Sequence, residues 1–514
     1  MRGGRAGLLS QPGLQGRPGG VPRQAAARLC GALTPVFRHQ GASMRSTATV
    51  TARLTPDPLQ GQDLAAYGRA LRAGRITAVA ATQAYLDRIA LLDPVLTAYE
   101  VLAPQAALAS AQAIDALLAA GTDLGPLMGV PLAVKDVLHV DGLPTRAGSQ
   151  ADVADLIGGE GPFVAALRRA GAIILGKTHT VEFAIGSTGV NYHRGTPRNP
   201  CDAGQFRLAS GSSSGSAVAV AAGLCALAVG TDTGGSVRGP AAFCGVAGIK
   251  FSRDAVSRSG VFPMSRSFDS LGLLADSAAS LALAWQALHG SVVAPPPPQR
   301  LRLGVPRAYF FEALAPEVQA CTERALQALA EAGVQLVEID FPELTEIDAL
   351  YTAVARPELM ASLGQGRFEA IRGQLNPDVA ERVAEGLDAG AEGYLRARWR
   401  LQALRERALS LFQGVDAWVA PVKQNLPPVF AGRFESQAAE RALNRYCGGP
   451  TRAANALNLC GTSQPIAQWG APLPVGLQLL CPAGQDSGLL AVAQACEAIL
   501  GRRQAPDLAA FVPA

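Results

Sequence analysis

A-S-G-S-S-S-G-S-A-V-A-V-A-A-G-L-C-A-L-A-V-G-T-D-T-G-G-S-V-R-G-P-A-A-F-C-G-V-A-G-I-K, Ala209 to Lys250, is the stretch that organises the chain. Two Gly/Ser-rich turns flank an apolar run from Ala217 to Gly230. That run is shorter than the ~20 residues needed to cross a bilayer. Its small apolar residues predict one fully buried helix, packed on all sides. Ser212 and Ser236, at its two ends, then sit on loops fixed by a rigid scaffold. Gly234 and Gly235 let the backbone turn tightly and leave N–H groups free to face a ligand.

Working outward, Gly129 to Val137 reads as a buried strand that carries Lys135 and Asp136 near its end. Pro162 to Ala170 reads as a helix and Ala172 to Leu175 as a strand. Helical spacing covers Gln62 to about Ala120, with a Gly74 stop. Downstream, Ser277 to Gly290 predicts a helix with Asp276 as N-cap and Gly290 as stop. Pro295 to Pro298 forms a stiff linker. Leu301–Pro306, Pro316–Ala332 and Val334–Ile339 read as strand, helix and strand. Val415–Val422 and Leu473–Leu480 read as further strands, and residues 344–412 as charged helices. Strands alternating with helices predict an α/β fold. The expected organisation is one domain over residues 57–510, with a core at about 125–290 and a variable helical region at about 344–430.

The chain has 514 residues, 49% apolar and 17% charged, which suits a large globular core. Its net charge is +4 and no basic run dominates, so nothing points to nucleic acid. No run is long enough for a transmembrane helix. The nine cysteines are scattered and odd in number, without C-x-x-C spacing. They read as free thiols in a reducing compartment, and the expected location is cytoplasmic. Residues 1–56 contain several arginines and no acidic residue. Two readings apply there: an Arg-rich transit peptide, or an extension upstream of a start at Met44. The second is preferred, and disorder is expected in both cases.

Two motif matches fail on context. Gly171 to Thr178, G-A-I-I-L-G-K-T, matches the P-loop pattern letter for letter. A P-loop is a glycine-rich turn after a strand and before a helix. Here its variable positions are themselves an apolar strand preceded by a helix, so Lys177 reads as a strand-end residue. Gly211 to Gly215 matches G-x-S-x-G with Ser213 at the centre, which requires a later Asp or Glu and then a His. The one histidine after Ser213 is His289, at a helix end where it complements the helix dipole.

The chain resembles the amidase signature family over about residues 60–500. The resemblance rests on G-S-S-S-G (Gly211–Gly215), G-T-D-T-G-G-S-V-R (Gly230–Arg238), P-A-A-F-C-G (Pro240–Gly245) and G-V-P-L-A-V-K-D (Gly129–Asp136). Ser212 and Ser236 stand 24 residues apart, as in that family. The resemblance implies an α/β domain with a central mixed sheet covered by helices on both faces. It implies Ser236 as nucleophile, Ser212 as bridging serine in a cis peptide, and Lys135 as base. It also places the N–H groups of Thr233, Gly234, Gly235 and Ser236 at the oxyanion, each worth ~3 kcal/mol. The chemistry is coherent, because a serine hydroxyl is inert until a neighbour accepts its proton. A lysine accepts it only when neutral, and burial favours that form. The run P-L-A-V-K-D-V-L around Lys135 suits burial.

Arg238 matches a family arginine and has two readings of equal weight: it meets a substrate carboxylate, or it ties neighbouring loops. Departures from the family pattern fall at Ser210, at His179 and after Lys250, and they concern substrate more than chemistry. The implied activity is hydrolysis of a small-molecule amide, without cofactor or metal and without a nucleic-acid or membrane partner; a homodimer is left open. The alternatives are the glutaminase component of a glutamyl-tRNA amidotransferase, working in a complex, and a non-catalytic interaction protein on the same fold. That amidotransferase component carries an aromatic G-Y-Y-D-A-Y-Y-like helix. The matching stretch here, Asp388–Leu401, keeps Gly393-Tyr394 and then turns to Leu, Ala and arginines.

Overall fold

The apolar run Ala217–Gly230, expected to be a single helix, is two elements. A helix spans Ser214–Ala221, and Gly223, at φ +61°, ends it. The chain re-enters as a strand, Leu227–Asp232. Every residue of both elements is buried. Continuous burial erases the periodicity that separates a helix from an inner strand, so the pattern alone did not divide the run.

The computed structural model describes residues 54–59, 61–290 and 293–512. Most of the expected N-terminal extension, residues 1–53, lies outside the described residues. Within its last positions, Leu54 packs against the core and the Thr55 carbonyl accepts a bond from Arg88 Nη1. The strands are β1 (Tyr99–Leu102), β2 (Pro131–Lys135), β3 (Ile173–Thr178), β4 (Leu227–Asp232), β5 (Ala247–Lys250) and β6 (Ser270–Ala275). They continue as β7 (Arg302–Pro306), β8 (Gln335–Ile339), β9 (Ala417–Pro421), β10 (Leu459–Pro465) and β11 (Gly476–Pro482). They form one 11-stranded sheet in the order β1-β3-β2-β4-β6-β5-β10-β11-β9-β7-β8. The pairs β2–β3, β2–β4, β7–β8 and β7–β9 are parallel and the others antiparallel, so the sheet is mixed. With the helices packed along it, this is the expected α/β fold.

The strands read from sequence at β2, β3, β7, β8, β9 and β11 are present within a few residues. β5, β6 and β10 were not anticipated, and β1 interrupts a stretch read as helical; β5, β6 and β10 are inner strands buried along their whole length, with no exposed face to mark a period. The helix Ala278–His289 is capped by Ser277, whose side chain accepts from Ser280 N, and not by Asp276. Gly290 ends it at φ +70° as expected. The charged region is helical: Ile347–Leu363, Gln365–Ile371, Pro377–Ala384 and Ala391–Leu411. Ala391–Leu411 and the first part of Ile347–Leu363 pack over a separate cluster around Phe268, Phe341, Leu401 and Trp418, while Leu359, Phe368 and Val383 join the main core. Among the described residues no helix is long and apolar enough to cross a membrane.

Candidate active site

Lys135 closes β2 and is wholly buried. Its Nζ lies 2.8 Å from Ser212 Oγ and 2.8 Å from Thr231 Oγ1 on neighbouring β4. Burial lowers its pKa from 10.5 to about 7, against the opposing pull of the Asp232 and Asp269 carboxylates. Burial thus favours the uncharged amine, the form able to take a proton.

Ser212 is fixed by the backbone around it. The Gly211–Ser212 peptide is cis, as the resemblance implied. Gly211 N donates to Ser187 O at 2.9 Å, and Ser213 N donates to Ser236 O at 3.1 Å. That last bond ties the loop before the Ser214–Ala221 helix to the loop after β4. Ser212 Oγ bonds Lys135, while no hydrogen bond joins it to Ser236 Oγ.

Ser236 sits in the turn between β4 and the helix Arg238–Cys244. Asp232, the last residue of β4, shapes that turn. Its carboxylate accepts from Gly235 N at 2.8 Å, Val237 N at 3.1 Å and Arg238 N at 3.3 Å. Burial opposes ionisation of Asp232, but the adjoining Arg238 guanidinium holds its carboxyl well below the usual carboxylate range. Gly235 is at φ +118°, and a Cβ there would meet Thr451 Oγ1 at 1.9 Å, so only glycine fits. The N–H groups of Gly234 and Ser236 have no intramolecular partner among the described residues. The Gly235 N–H, expected to face the substrate, instead donates to Asp232.

Arg238 is fully buried, and the structure favours the second of its two readings. Its guanidinium meets Asp232, Gln478 Oε1 at 3.0 Å, the Thr451 carbonyl at 2.8 Å and Asn455 Oδ1 at 2.8 Å. It ties the β4 turn to β11 and to the loop after the Gln437–Gly448 helix, and it lines neither cavity beside Ser236.

Those two cavities adjoin through Ala184, Thr233 and Met264. One, of about 380 Å³, is walled by Val261, Phe262, Pro263 and Leu271, with Asp269 and Arg258 among its polar lining. The other is a recess of about 50 Å³ containing Ser236 and the 233–235 turn, and its wall carries Tyr351, Arg356, Arg382, Lys423 and Arg452. Sequence reading missed these residues, along with Thr231, Asp232 and Asp269. Asp232 was visible inside G-T-D-T-G-G-S. The arginines, on three separate helices, carried no local signal.

The rejected motifs are structural. Lys177 is buried on β3 and pairs with Asp136 at 2.9 Å. Ser213 Oγ donates to the Thr231 carbonyl at 3.3 Å. His289 stacks on Trp285 with ring centroids 3.8 Å apart.

A family model described as Amidase matches residues 80–490. The 2-amino-5-chloromuconic acid deaminase of Comamonas testosteroni is 37% identical over 458 residues, which is 87% of this chain and 98% of that one. A glutamyl-tRNA(Gln) amidotransferase component of Chloroflexus aggregans is 35% identical over 486 residues, or 86% and 97% of the two chains. Among solved structures, an amidase superposes with TM-score 0.76 at 33% identity, covering 86% of this chain and 100% of that one. The peptide amidase of Stenotrophomonas maltophilia superposes with TM-score 0.72 at 29% identity, covering 88% and 99%.

Proposed function

The chain belongs to the amidase family of hydrolases acting on carbon–nitrogen bonds, and from that premise we propose that it cleaves a small carboxamide through an acyl-enzyme on Ser236. The observation that carries this reading is Lys135, wholly buried with its Nζ 2.8 Å from Ser212 Oγ, where burial lowers its pKa to about 7.

Ser236 Oγ attacks the carbonyl carbon as its proton passes to Ser212 and the Ser212 proton passes to neutral Lys135. The oxyanion so formed meets the free N–H groups of Gly234 and Ser236, already held in the turn after β4. On collapse the C–N bond breaks, and the proton held by Lys135 returns through Ser212 to the departing nitrogen. Water then adds to the acyl-enzyme with the same relay acting as base, releasing the carboxylic acid and restoring Ser236. The Ser212–Ser236 hydrogen bond forms on substrate binding, since such bonds often tighten only in the Michaelis complex. Amide and water become acid and ammonia or amine, with no cofactor required.

Incubating the purified chain with simple aliphatic and aromatic amides, with ammonia release as readout, tests the activity. We expect turnover without a partner and no stimulation by tRNA and ATP. Glutaminase activity appearing only with partner proteins would instead promote the amidotransferase reading. Mass spectrometry of a chain quenched during turnover should place the acyl adduct on Ser236, and an adduct on Ser213 would overturn the assignment.

A further inference from the structure

The recess beside Ser236 has four cationic side chains in its wall, Arg356, Arg382, Lys423 and Arg452, and no carboxylate. They arrive from four separate elements: the Ile347–Leu363 helix, the Pro377–Ala384 helix, the segment after β9 and the Arg452–Ala456 helix. Convergence of like charges is unfavourable unless something offsets it. Each arginine is steadied from behind by an acid outside the recess. Arg356 meets Glu385 at 3.2 Å, Arg382 meets Asp378 at 2.8 Å and Arg452 meets Asp348 at 3.0 Å. Lys423 is different. It is buried, bonded only to the Cys447 and Gly448 carbonyls, and has no acid within ion-pair distance among the described residues. The Tyr351 hydroxyl, close over Gly234, also lacks a hydrogen-bond partner there.

A recess with surplus positive charge and no carboxylate of its own is complementary to an anion. Its volume of about 50 Å³ admits a group of few atoms. Ser236 lines the same recess, so the anion must lie only a few bonds from the scissile carbonyl. From these residues we infer that the recess binds a substrate carboxylate, making the preferred substrates short monoamides of dicarboxylic acids. Guanidinium groups match a carboxylate in planar, two-pronged geometry. Pre-positioning by the rear acids means little side-chain freedom is lost on binding. The adjoining larger cavity takes whatever the substrate carries beyond these two groups. This inference rests on Ser236 being the nucleophile.

The test compares succinamate and glutaramate with the neutral diamides succinamide and glutaramide, before and after Lys423→Met and Arg452→Gln. Lys423→Met strands no acid, and Arg452→Gln leaves Asp348 half-exposed, so either variant serves if the other misfolds. We expect the parent chain to favour the monoamides by at least about tenfold in kcat/KM. Each substitution should cut that ratio by about tenfold or more, the range for one charge-assisted hydrogen bond. Succinate binding to Ser236→Ala protein, by calorimetry, reads the recess independently of chemistry and should weaken when Lys423→Met is added. A parent that favours the diamides, or a ratio unmoved by both substitutions, overturns the inference. So does succinate that fails to bind Ser236→Ala protein. Turnover surviving in Ser236→Ala would overturn the nucleophile assignment instead, a result distinct from any of these.

Discussion

In the helix Ser214–Ala221 every residue is buried, whereas in Ala391–Leu411 only Ala397, Leu401, Leu404 and Ala408 are. The first helix is built from Ser, Gly, Ala and Val and packs against β2, β3, β4 and β6. The second carries Arg396, Arg398, Arg400, Arg405 and Arg407, and leaves Trp399 66% exposed. The proposed reaction depends on the first kind of region. There small residues bring backbone and short side chains within hydrogen-bond distance, and dense packing denies them alternative positions. The cations of the recess come from neither helix: Arg356, Arg382, Lys423 and Arg452 are long side chains converging from separate elements outside the packed Ser214–Ala221 region. Chemistry and substrate choice should therefore respond differently to mutation.

The sharpest contrast comes from the packed region. Ser236→Ala should lower kcat by at least about a thousandfold with the melting temperature intact, because the nucleophile is lost and no charge is stranded. Activity within tenfold of the parent would break the comparison. Lys135→Met should cost nearly as much, since residues acting as a unit are non-additive. Its effect on stability should be neutral or favourable at pH 7. Burial lowers the Lys135 pKa from 10.5 to about 7, so between those values the unfolded chain holds a proton that the folded chain has released. The resulting penalty is full below pH 7 and fades as pH rises toward 10.5. Lys135→Met should thus melt no lower than the parent at pH 7, and thermal scans from pH 7 to 10 should show the parent closing the gap.

Next in size, Arg238→Met should destabilise the chain by about 3–5 kcal/mol, because it leaves Asp232 buried and unpaired. Urea unfolding would check this, and a loss below about 1 kcal/mol would show that Asn455 and the turn amides suffice. Asp269→Asn should be milder. Its carboxylate raises the Lys135 pKa, so its removal should move the acid limb of the rate profile to lower pH. Asp269 itself is pushed up to about 6 by burial, and this variant also removes that overlapping titration. Smallest of all, Arg396→Ala breaks an exposed pair with Glu392 and should change stability by less than about 0.5 kcal/mol and the rate not at all.

The same contrast explains what could be read beforehand. Lys135, Ser212 and Ser236 could be singled out because each sits inside a short motif with restricted spacing, and the structure brings Lys135 Nζ within 2.8 Å of Ser212 Oγ. The turn glycines were legible because Gly235 tolerates no Cβ. The division of Ala217–Gly230 into helix and strand was not, since neither element has an exposed face to mark its period. Arg356, Arg382, Lys423 and Arg452 were invisible for another reason. Each looks like an ordinary surface cation in its own helix or loop, and only the tertiary fold brings them together. Arg238 shows the reverse: the matched motif left a substrate contact and a loop tie equally open, while full burial and its contacts with Asp232, Gln478, Thr451 and Asn455 occupy it within the protein.

The hairpin of β10 and β11 is the seam of the sheet: β10 pairs with β5, and β11 with β9. It also follows the other nine strands in the chain, so it leaves the ribosome after all of them. Until it emerges, the nascent chain holds two unfinished half-sheets, each ending in an open backbone edge beside apolar surface. Such edges recruit other chains. Synthesis of this protein therefore passes through an aggregation-prone interval that closes only when the hairpin is made. A stop codon before Leu459 should leave an insoluble fragment rather than a smaller enzyme, even with Lys135, Ser212 and Ser236 all present.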